Sequence, residues 1–242
     1  MKPEYQSNSL DLNKQRTSRK LLGFTLVELL VVVAIIGILA ALLFPLGKSM
    51  MEKGNSTKCI SNLRQIGGAI QQYSADNDGF FPYSAGPSYE GKNISHPFSG
   101  WQAPLAYYLG VGQLSPSTIY KSQASYDNPT AKHPFNCPSC KTAFRTYTAN
   151  KYAMGYLPSG ETSPYPRRKA TAFLRPSQLI LIADMETVNG QVMQNSGAFD
   201  DTTYQTLIGT RHNGKANALF ADFHIEAIER ATIDPAKNIK HN

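Results

Sequence analysis

The chain has 242 residues, of which 17% are charged, and its formal net charge is +7. Once a long N-terminal helix is set aside, this length leaves room for one globular domain rather than two. The first 23 residues hold five basic and two acidic side chains, so the remainder is only mildly basic at +4. Such a balance is a weak reason to expect nucleic-acid binding, and no nucleic-acid partner is predicted.

An apolar run over residues 24–45 follows a basic stretch in the first 23 residues. Its 22 residues would form a helix about 33 Å long, enough to cross a bilayer about 30 Å thick. The run is longer than the core of a secretory signal, which has about 7–15 residues, and no small-x-small cleavage site follows it. The sequence therefore predicts a leader peptide over 1–23 and a transmembrane helix over 24–45.

One acid, Glu28, lies near the start of this run, just after the pair Gly23-Phe24. A carboxylate inside a bilayer is costly unless it has a partner, although a position close to the interface lowers that cost. Residues 23–28 read Gly-Phe-Thr-Leu-Val-Glu, and Pro45 lies late in the helix that follows. This pattern resembles the N-terminus of the type IV pilin and type II secretion pseudopilin superfamily.

The resemblance implies a processing site and an assembly site. A prepilin peptidase would cut between Gly23 and Phe24 and then N-methylate Phe24. Gly23 suits the cut, because a residue without a side chain lets an enzyme approach the backbone closely. In an apolar filament core the Glu28 carboxylate needs a cation, and the Phe24 ammonium would supply it. Phe24, Glu28 and Pro45 are the expected assembly residues.

The resemblance also implies partners and a location. The partners are the peptidase, other pilin or pseudopilin subunits in a homo- or heteropolymer, the inner-membrane assembly platform and the lipid bilayer. Basic residues flank the span on both sides, so charge alone does not orient it. The resemblance implies a single-pass inner-membrane protein with a cytoplasmic leader and an extracytoplasmic C-terminal domain, found later in a periplasmic or surface filament.

The helix is predicted to continue beyond the span, over residues 46–78. Apolar side chains recur there at spacings of three and four, which is the pattern of an amphipathic helix. The cluster at residues 76–79 then provides a stop signal. The apolar stripe consists of Cys59, Leu63, Ile66, Ile70 and Tyr73.

Residues 81–176 contain 12 of the 15 prolines, together with many glycines, serines and tyrosines. This composition indicates loop-rich structure with short strands rather than a repeat array. The aromatic residues of this region, which include Trp101 and Tyr147, are expected to pack over the helix and sheet. A sugar- or ligand-binding aromatic groove is the alternative.

The three cysteines allow several chemistries. The motif at 137–140, Cys-Pro-Ser-Cys, provides at most two ligands where structural zinc takes four, although Cys59 and His133 could complete a set. Outside the cytoplasm a disulfide is the default. We predict a Cys59–Cys137 disulfide, worth roughly 2–4 kcal/mol, with Cys140 reduced. A metal site, redox catalysis and free thiols are the alternatives.

The C-terminal third is predicted to be rich in strands. Residues 179–183 form a short apolar run typical of a buried strand. Asn213-Gly214, between residues 204–211 and 216–221, is a hairpin signal, and a further strand is expected near 225–228.

The same region shows a second resemblance, to large pilin-like proteins whose ending has a histidine, nine residues and then Asp-Gly. This chain has His212 and Asp222 at that spacing, but Phe223 replaces the glycine. A positive φ at Phe223 would be costly. His212, Asp222 and His224 are expected to stabilise a hairpin by hydrogen bonds, with a metal or acid–base group as the alternative.

The motifs G-x-S-x-G, the P-loop, the dinucleotide glycine pattern and H-E-x-x-H are absent from the sequence, so no enzymatic activity and no cofactor are predicted. The expected fold is α+β: a long N-terminal helix packed on an antiparallel sheet, within a globular domain over 79–234 and before a flexible tail over 235–242. The expected function is that of a pilin-like filament subunit. The alternative is a membrane-tethered extracytoplasmic binding protein or enzyme that uses the helix only as an anchor.

Overall fold

A computed structural model describes most of the chain, which divides into two compact units, Met1–Gly47 and Lys48–Asn242. The leader over 1–23, including Gly23, lies outside the described residues. The described residues are 24–84, 88–89, 92–93, 100–111, 133–140, 146–156, 165–188, 191–192 and 198–240.

Helix α1 runs over Leu26–Asp76 and is continuous through Pro45. The helix predicted to continue over 46–78 ends at Asp76, within the stop signal at 76–79. It ends where Asp78 and Gly79 both take a positive φ, of 53° and 80°, which a helix cannot continue. In the part of the chain that the structure describes, no helix meets the combined length and hydropathy that a membrane span requires.

The core of the larger unit is a five-stranded sheet. The strands are β3 (Tyr147–Asn150), β4 (Ile180–Asp184), β7 (Ala198–Phe199), β8 (Ala216–Phe220) and β9 (Ile225–Ile228). Their spatial order is β7-β3-β4-β8-β9.

The expectation of a purely antiparallel sheet is wrong at one edge. The neighbouring pairs β3–β4, β4–β8 and β8–β9 are antiparallel, whereas β7 pairs with β3 in parallel. The chain leaves β4 and returns to the far side of β3, so β7 runs in the same direction as β3. The sheet is therefore mixed, and the fold class is α+β.

Short elements connect these strands. Two small hairpins pair β1 with β2 and β5 with β6. Their bounds are β1 (Ser88–Tyr89), β2 (Lys92–Asn93), β5 (Thr187–Val188) and β6 (Gln191–Val192). The short helices are α2 (Gln102–Tyr108), α3 (Lys151–Met154), α4 (Tyr204–Leu207), two 3₁₀ turns (Ala170–Ala172 and Arg230–Thr232) and a π turn (Pro235–Ile239).

Two apolar clusters cover the two faces of the sheet. On one face the stripe of α1 packs with Leu181 and Leu219, and all five stripe residues are buried, as the periodicity predicted. On the other face Ile180 and Phe220 pack with α4 and with the end of the chain. Every residue of β4 and β8 is buried, as expected for central strands covered on both sides.

The strand predictions near the C-terminus have different outcomes. The apolar run at 179–183 corresponds to β4, and β8 and β9 form where strands were expected. The strand predicted over 204–211 is wrong, because its first part is helix α4. The Asp200 carboxylate accepts hydrogen bonds from the backbone N–H groups of Thr202 and Thr203, both at 3.0 Å, and this turn favours a helix start.

The end of the chain also differs from its expectation. Residues 235–239, expected within a flexible tail, form one π turn, and the Ile239 side chain is fully buried. The Asn150 amide donates to the carbonyls of Ile180 and Ile239, at 2.8 and 3.0 Å, and so joins this turn to the sheet.

Candidate assembly and processing site

The start of α1 is organised by a reciprocal pair of hydrogen bonds. Thr25 precedes the first helical residue and Glu28 lies three positions further on. The Glu28 N–H donates to Thr25 Oγ1 at 3.2 Å, and the Thr25 N–H donates to Glu28 Oε2 at 2.8 Å. This is a capping box, which satisfies N–H groups that the first turn of a helix leaves unpaired.

The hydroxyl of Thr25 adds a third bond, also to Glu28 Oε2, at 2.8 Å. No described residue donates a hydrogen bond to the other carboxylate oxygen, Oε1. Glu28 therefore has two separable properties: it completes a helix cap, and it presents one oxygen that is open to a cation.

The helix that follows carries apolar side chains on every face. Every described side chain from 24 to 42 is exposed. Phe24 is 80% exposed and Leu42 is 64% exposed. A helix that is apolar all round normally lies within a protein core or a bilayer. This exposed apolar surface therefore indicates that lipid or other protein chains cover it.

The predicted processing and assembly residues are only partly visible. Phe24 is described and lies before the helix, whereas Gly23 lies outside the described residues. Pro45 is within α1, and it removes one backbone donor from the helix interior. The cleavage and assembly roles of these residues stay predictions.

The C-terminal residues singled out by the sequence do not form one group. His212 is buried and faces residues of other segments. Asp222 and His224 instead pair with each other at the exposed turn between β8 and β9, where the His224 ring stacks on Phe220. Phe223, between them, has a φ of +69°.

The cysteines have an arrangement that sequence reasoning found only in part. Cys59, Cys137 and Cys140 are buried free thiols. Cys59 and Cys137 lie beside each other, with Asp184 and His212 next to them. The predicted Cys59–Cys137 disulfide stays a prediction. The sequence analysis does not predict Asp184 as a site residue. Its one local signal is its position, as an acid directly after the apolar run at 179–183.

Electrostatic effects on the two thiols are opposite. Burial raises the pKa of Cys59. A hydrogen bond with Cys59 lowers the pKa of Cys137 to about 6, against the effect of burial and with further help from His212. Burial alone would lower the pKa of His212, but hydrogen bonds with Asp184 and Cys137 raise it to about 10.

Comparisons with known proteins match the chain in two parts, which correspond approximately to the two compact units Met1–Gly47 and Lys48–Asn242. Residues 19–44 match the prokaryotic N-terminal methylation motif. Residues 49–181, more than half of the chain, match the family described as a protein of unknown function (DUF1559). No solved structure matches the chain.

Curated relatives match a shorter part. The chain is 42% identical over 55 residues to type II secretion system core protein G of Klebsiella pneumoniae, covering 23% of this chain and 39% of that protein. It is 39% identical over 62 residues to the Escherichia coli protein of the same name, covering 26% and 43%. The chain thus spans about two fifths of the length of these relatives.

Proposed function

The chain belongs to the family described as a protein of unknown function (DUF1559), within the pilin and pseudopilin superfamily, and we propose that it is a structural subunit of a type II secretion or type IV pilus-like filament. The observation that carries the proposal is the start of α1. The first part of α1 is exposed and apolar on every face, and it begins with a carboxylate that has one oxygen without a hydrogen bond from the described residues. A polymer of such helices would bury both features.

The first proposed step is processing in the membrane. Over the full sequence the apolar run has 22 residues, so we place the unprocessed chain in the inner membrane. The resemblance to pilins and pseudopilins supports a cytoplasmic leader. A prepilin peptidase cuts after Gly23 and methylates the new amine of Phe24. The cut removes the basic leader and creates a cation at the end of an apolar helix.

The second proposed step is assembly. The helices leave the bilayer and bundle, which covers the exposed apolar side chains of residues 24–42. A cationic N-terminus in such a core needs an anion, and Glu28 Oε1 of the same or a neighbouring subunit supplies it. The capping box holds the carboxylate in place, because Thr25 fixes the other oxygen.

The test of processing is the N-terminus of the protein extracted from membranes. Intact mass and N-terminal sequencing should give a chain that begins at Phe24 and carries one added methyl group. Gly23→Leu should retain the leader, because added bulk blocks approach to the scissile bond. Thr17→Leu, which introduces the same side chain elsewhere in the leader, should be cleaved normally. A mature chain beginning at Ala41 or later would make this an ordinary secreted protein and would contradict the proposal.

A further inference from the structure

Four buried side chains from distant parts of the chain converge on one point. They come from α1, from the segment after residue 133, from the end of β4 and from the bridge before β8. Their ligand atoms all lie within 4.8 Å of one another. The four residues are Cys59, Cys137, Asp184 and His212.

Three distances between neighbouring ligand atoms lie close to those of a tetrahedral site. The Cys59 Sγ–Asp184 Oδ1 distance is 3.1 Å, and the Cys137 Sγ–His212 Nε2 distance is 3.4 Å. His212 Nε2 lies 3.3 Å from Asp184 Oδ2. Four ligands at usual zinc distances, arranged as a tetrahedron, are separated by about 3.3–3.8 Å. The cluster therefore needs only small movements to close around an ion.

A second layer of hydrogen bonds orients these ligands. His212 Nδ1 lies 3.2 Å from Glu52 Oε1, and this acceptor favours a proton on Nδ1 and so leaves Nε2 to face the cluster. Glu52 Oε1 also accepts from the Ser139 hydroxyl at 3.0 Å. On the other side, the Asn217 N–H donates to Asp184 Oδ2 at 2.7 Å. A carboxylate behind a histidine is the usual support of a metal-bound imidazole.

The net charge of the four side chains and the position of Arg211 also favour a metal site. Two thiolates, one carboxylate and a divalent ion sum to −1, which requires a nearby cation in a buried site. Arg211 is adjacent in sequence, and its Nη1 and Nη2 are buried with no hydrogen-bond partner among the described residues. Asp184 and the cysteines are the charges that act on its guanidinium. A metal-bound cluster would give these nitrogens an anionic neighbour.

We propose that Cys59, Cys137, Asp184 and His212 bind one structural Zn²⁺ ion. Cys59, Cys137 and Asp184 are fully buried, and His212 is 5% exposed, so no position is left open for a substrate. On binding, each sulfur bonds to the metal as a thiolate and His212 binds through a deprotonated Nε2, so every proton carried by these three atoms passes to solvent. The ion ties α1 to three other segments of the domain.

This inference is independent of filament assembly, since all four ligands lie within Lys48–Asn242. It also excludes the Cys59–Cys137 disulfide in the same molecule, because both sulfurs are used. A disulfide would leave the fully buried Asp184 carboxylate beside two sulfurs that can no longer donate to it or bind a metal.

The experiment uses the full-length protein, purified in detergent without chelators or a metal-binding tag. Elemental analysis should give one zinc per chain. After removal of zinc under reducing conditions, titration with Co²⁺ should produce the absorption bands of a tetrahedral thiolate site, saturating at one equivalent. Asp184→Asn and Cys59→Ser should lose these bands. Cys140→Ser, which alters the other cysteine of the same C-x-x-C motif, should keep them.

A milder variant keeps the test valid if the ligand variants fail to fold. Glu52→Ala keeps all four ligands and removes the acceptor behind His212, together with the hydrogen bond from Ser139, in a helix that tolerates alanine well. It should weaken Zn²⁺ affinity about 10–100-fold in competition with a chromogenic chelator. Glu226→Ala, an exposed carboxylate of β9, should leave the affinity unchanged. Unchanged affinity in Glu52→Ala would overturn the ligand geometry.

Three further results would overturn the proposal. The first is a reduced protein that neither contains zinc nor binds Co²⁺. The second is a Cys59–Cys137 disulfide in non-reducing peptide maps of protein purified without oxidants. The third is loss of the metal in Cys140→Ser, which would assign the ion to the C-x-x-C pair instead.

Discussion

Phe223 occupies a backbone conformation that favours glycine, and the packing of its ring offsets the cost of that conformation. Its φ is +69°, in the left-handed region that costs a side-chain-bearing residue roughly 1–2 kcal/mol. The ring meets Phe81 edge-on at a centroid distance of 6.2 Å and lies against the core cluster around α1. Packing thus offsets the strain that the sequence comparison with an Asp-Gly ending anticipated.

Removing the ring should reveal that strain. Phe223→Ala loses the packing but keeps the positive φ, whereas Phe223→Gly loses the packing and relieves the backbone. The glycine variant should therefore be the more stable by about 1 kcal/mol in urea unfolding. At Glu226, on β9, the order should reverse, with alanine more stable than glycine. Equal stability of the two Phe223 variants would mean that the turn is unstrained.

At the scale of elements, Asp200 joins three of them. It follows β7, its Oδ1 organises the turn before α4, and its Oδ2 pairs with Lys151 of α3 at 2.8 Å. Burial raises the pKa of Asp200, but hydrogen bonds from Lys151 and the two threonines outweigh it and hold the pKa well below its usual range.

This lowered pKa predicts acid sensitivity of the sheet edge. A carboxyl whose pKa is lower in the folded state contributes stability above the unfolded pKa of about 3.9 and loses it as the pH falls further. Asp200→Asn should cost about 1.5–3 kcal/mol at neutral pH and should flatten the loss of stability below about pH 4. Glu229→Gln, which breaks the half-exposed pair with Lys215, should cost less than about 1 kcal/mol. An unchanged acid limb in Asp200→Asn, measured by pH-dependent unfolding, would contradict this account.

Across the whole molecule, what the sequence predicted depended on how local the signal was. The stripe of α1 and the run at β4 could be predicted, because each element carries its own pattern of apolar residues. Strand β3 has four buried residues and no alternation, and β7 has only two, so neither gave a usable signal. Their parallel pairing depends on the path of the chain rather than on either segment.

The assembly site and the proposed zinc site also differ in how local their sequence signals are. The assembly site could be proposed from consecutive residues, since Gly23, Phe24 and Glu28 lie within one short motif. The cluster of Cys59, Cys137, Asp184 and His212 is assembled by folding from four segments. The sequence predicts a pairing of Cys59 with Cys137 and places His212 in a different motif, but only the packing of α1 against the sheet brings these residues to Asp184.

The central claim is that the Glu28 carboxylate pairs with the Phe24 ammonium in a filament, and the capping box offers a way to separate its two roles. Glu28→Gln keeps the cap, because glutamine also serves at this position, but it removes the charge. Thr25→Ala keeps the charge but removes the Thr25 hydroxyl that caps the helix.

The measurement is incorporation of tagged variants into sheared filaments formed with wild type. Glu28→Gln should be processed after Gly23 normally yet incorporate at least about tenfold less, because an unpaired charge in an apolar core is strongly destabilising. Thr25→Ala should incorporate at close to the wild-type level. If Glu28→Gln assembles as well as wild type while Thr25→Ala fails, Glu28 acts only as a helix cap and the pairing mechanism is wrong.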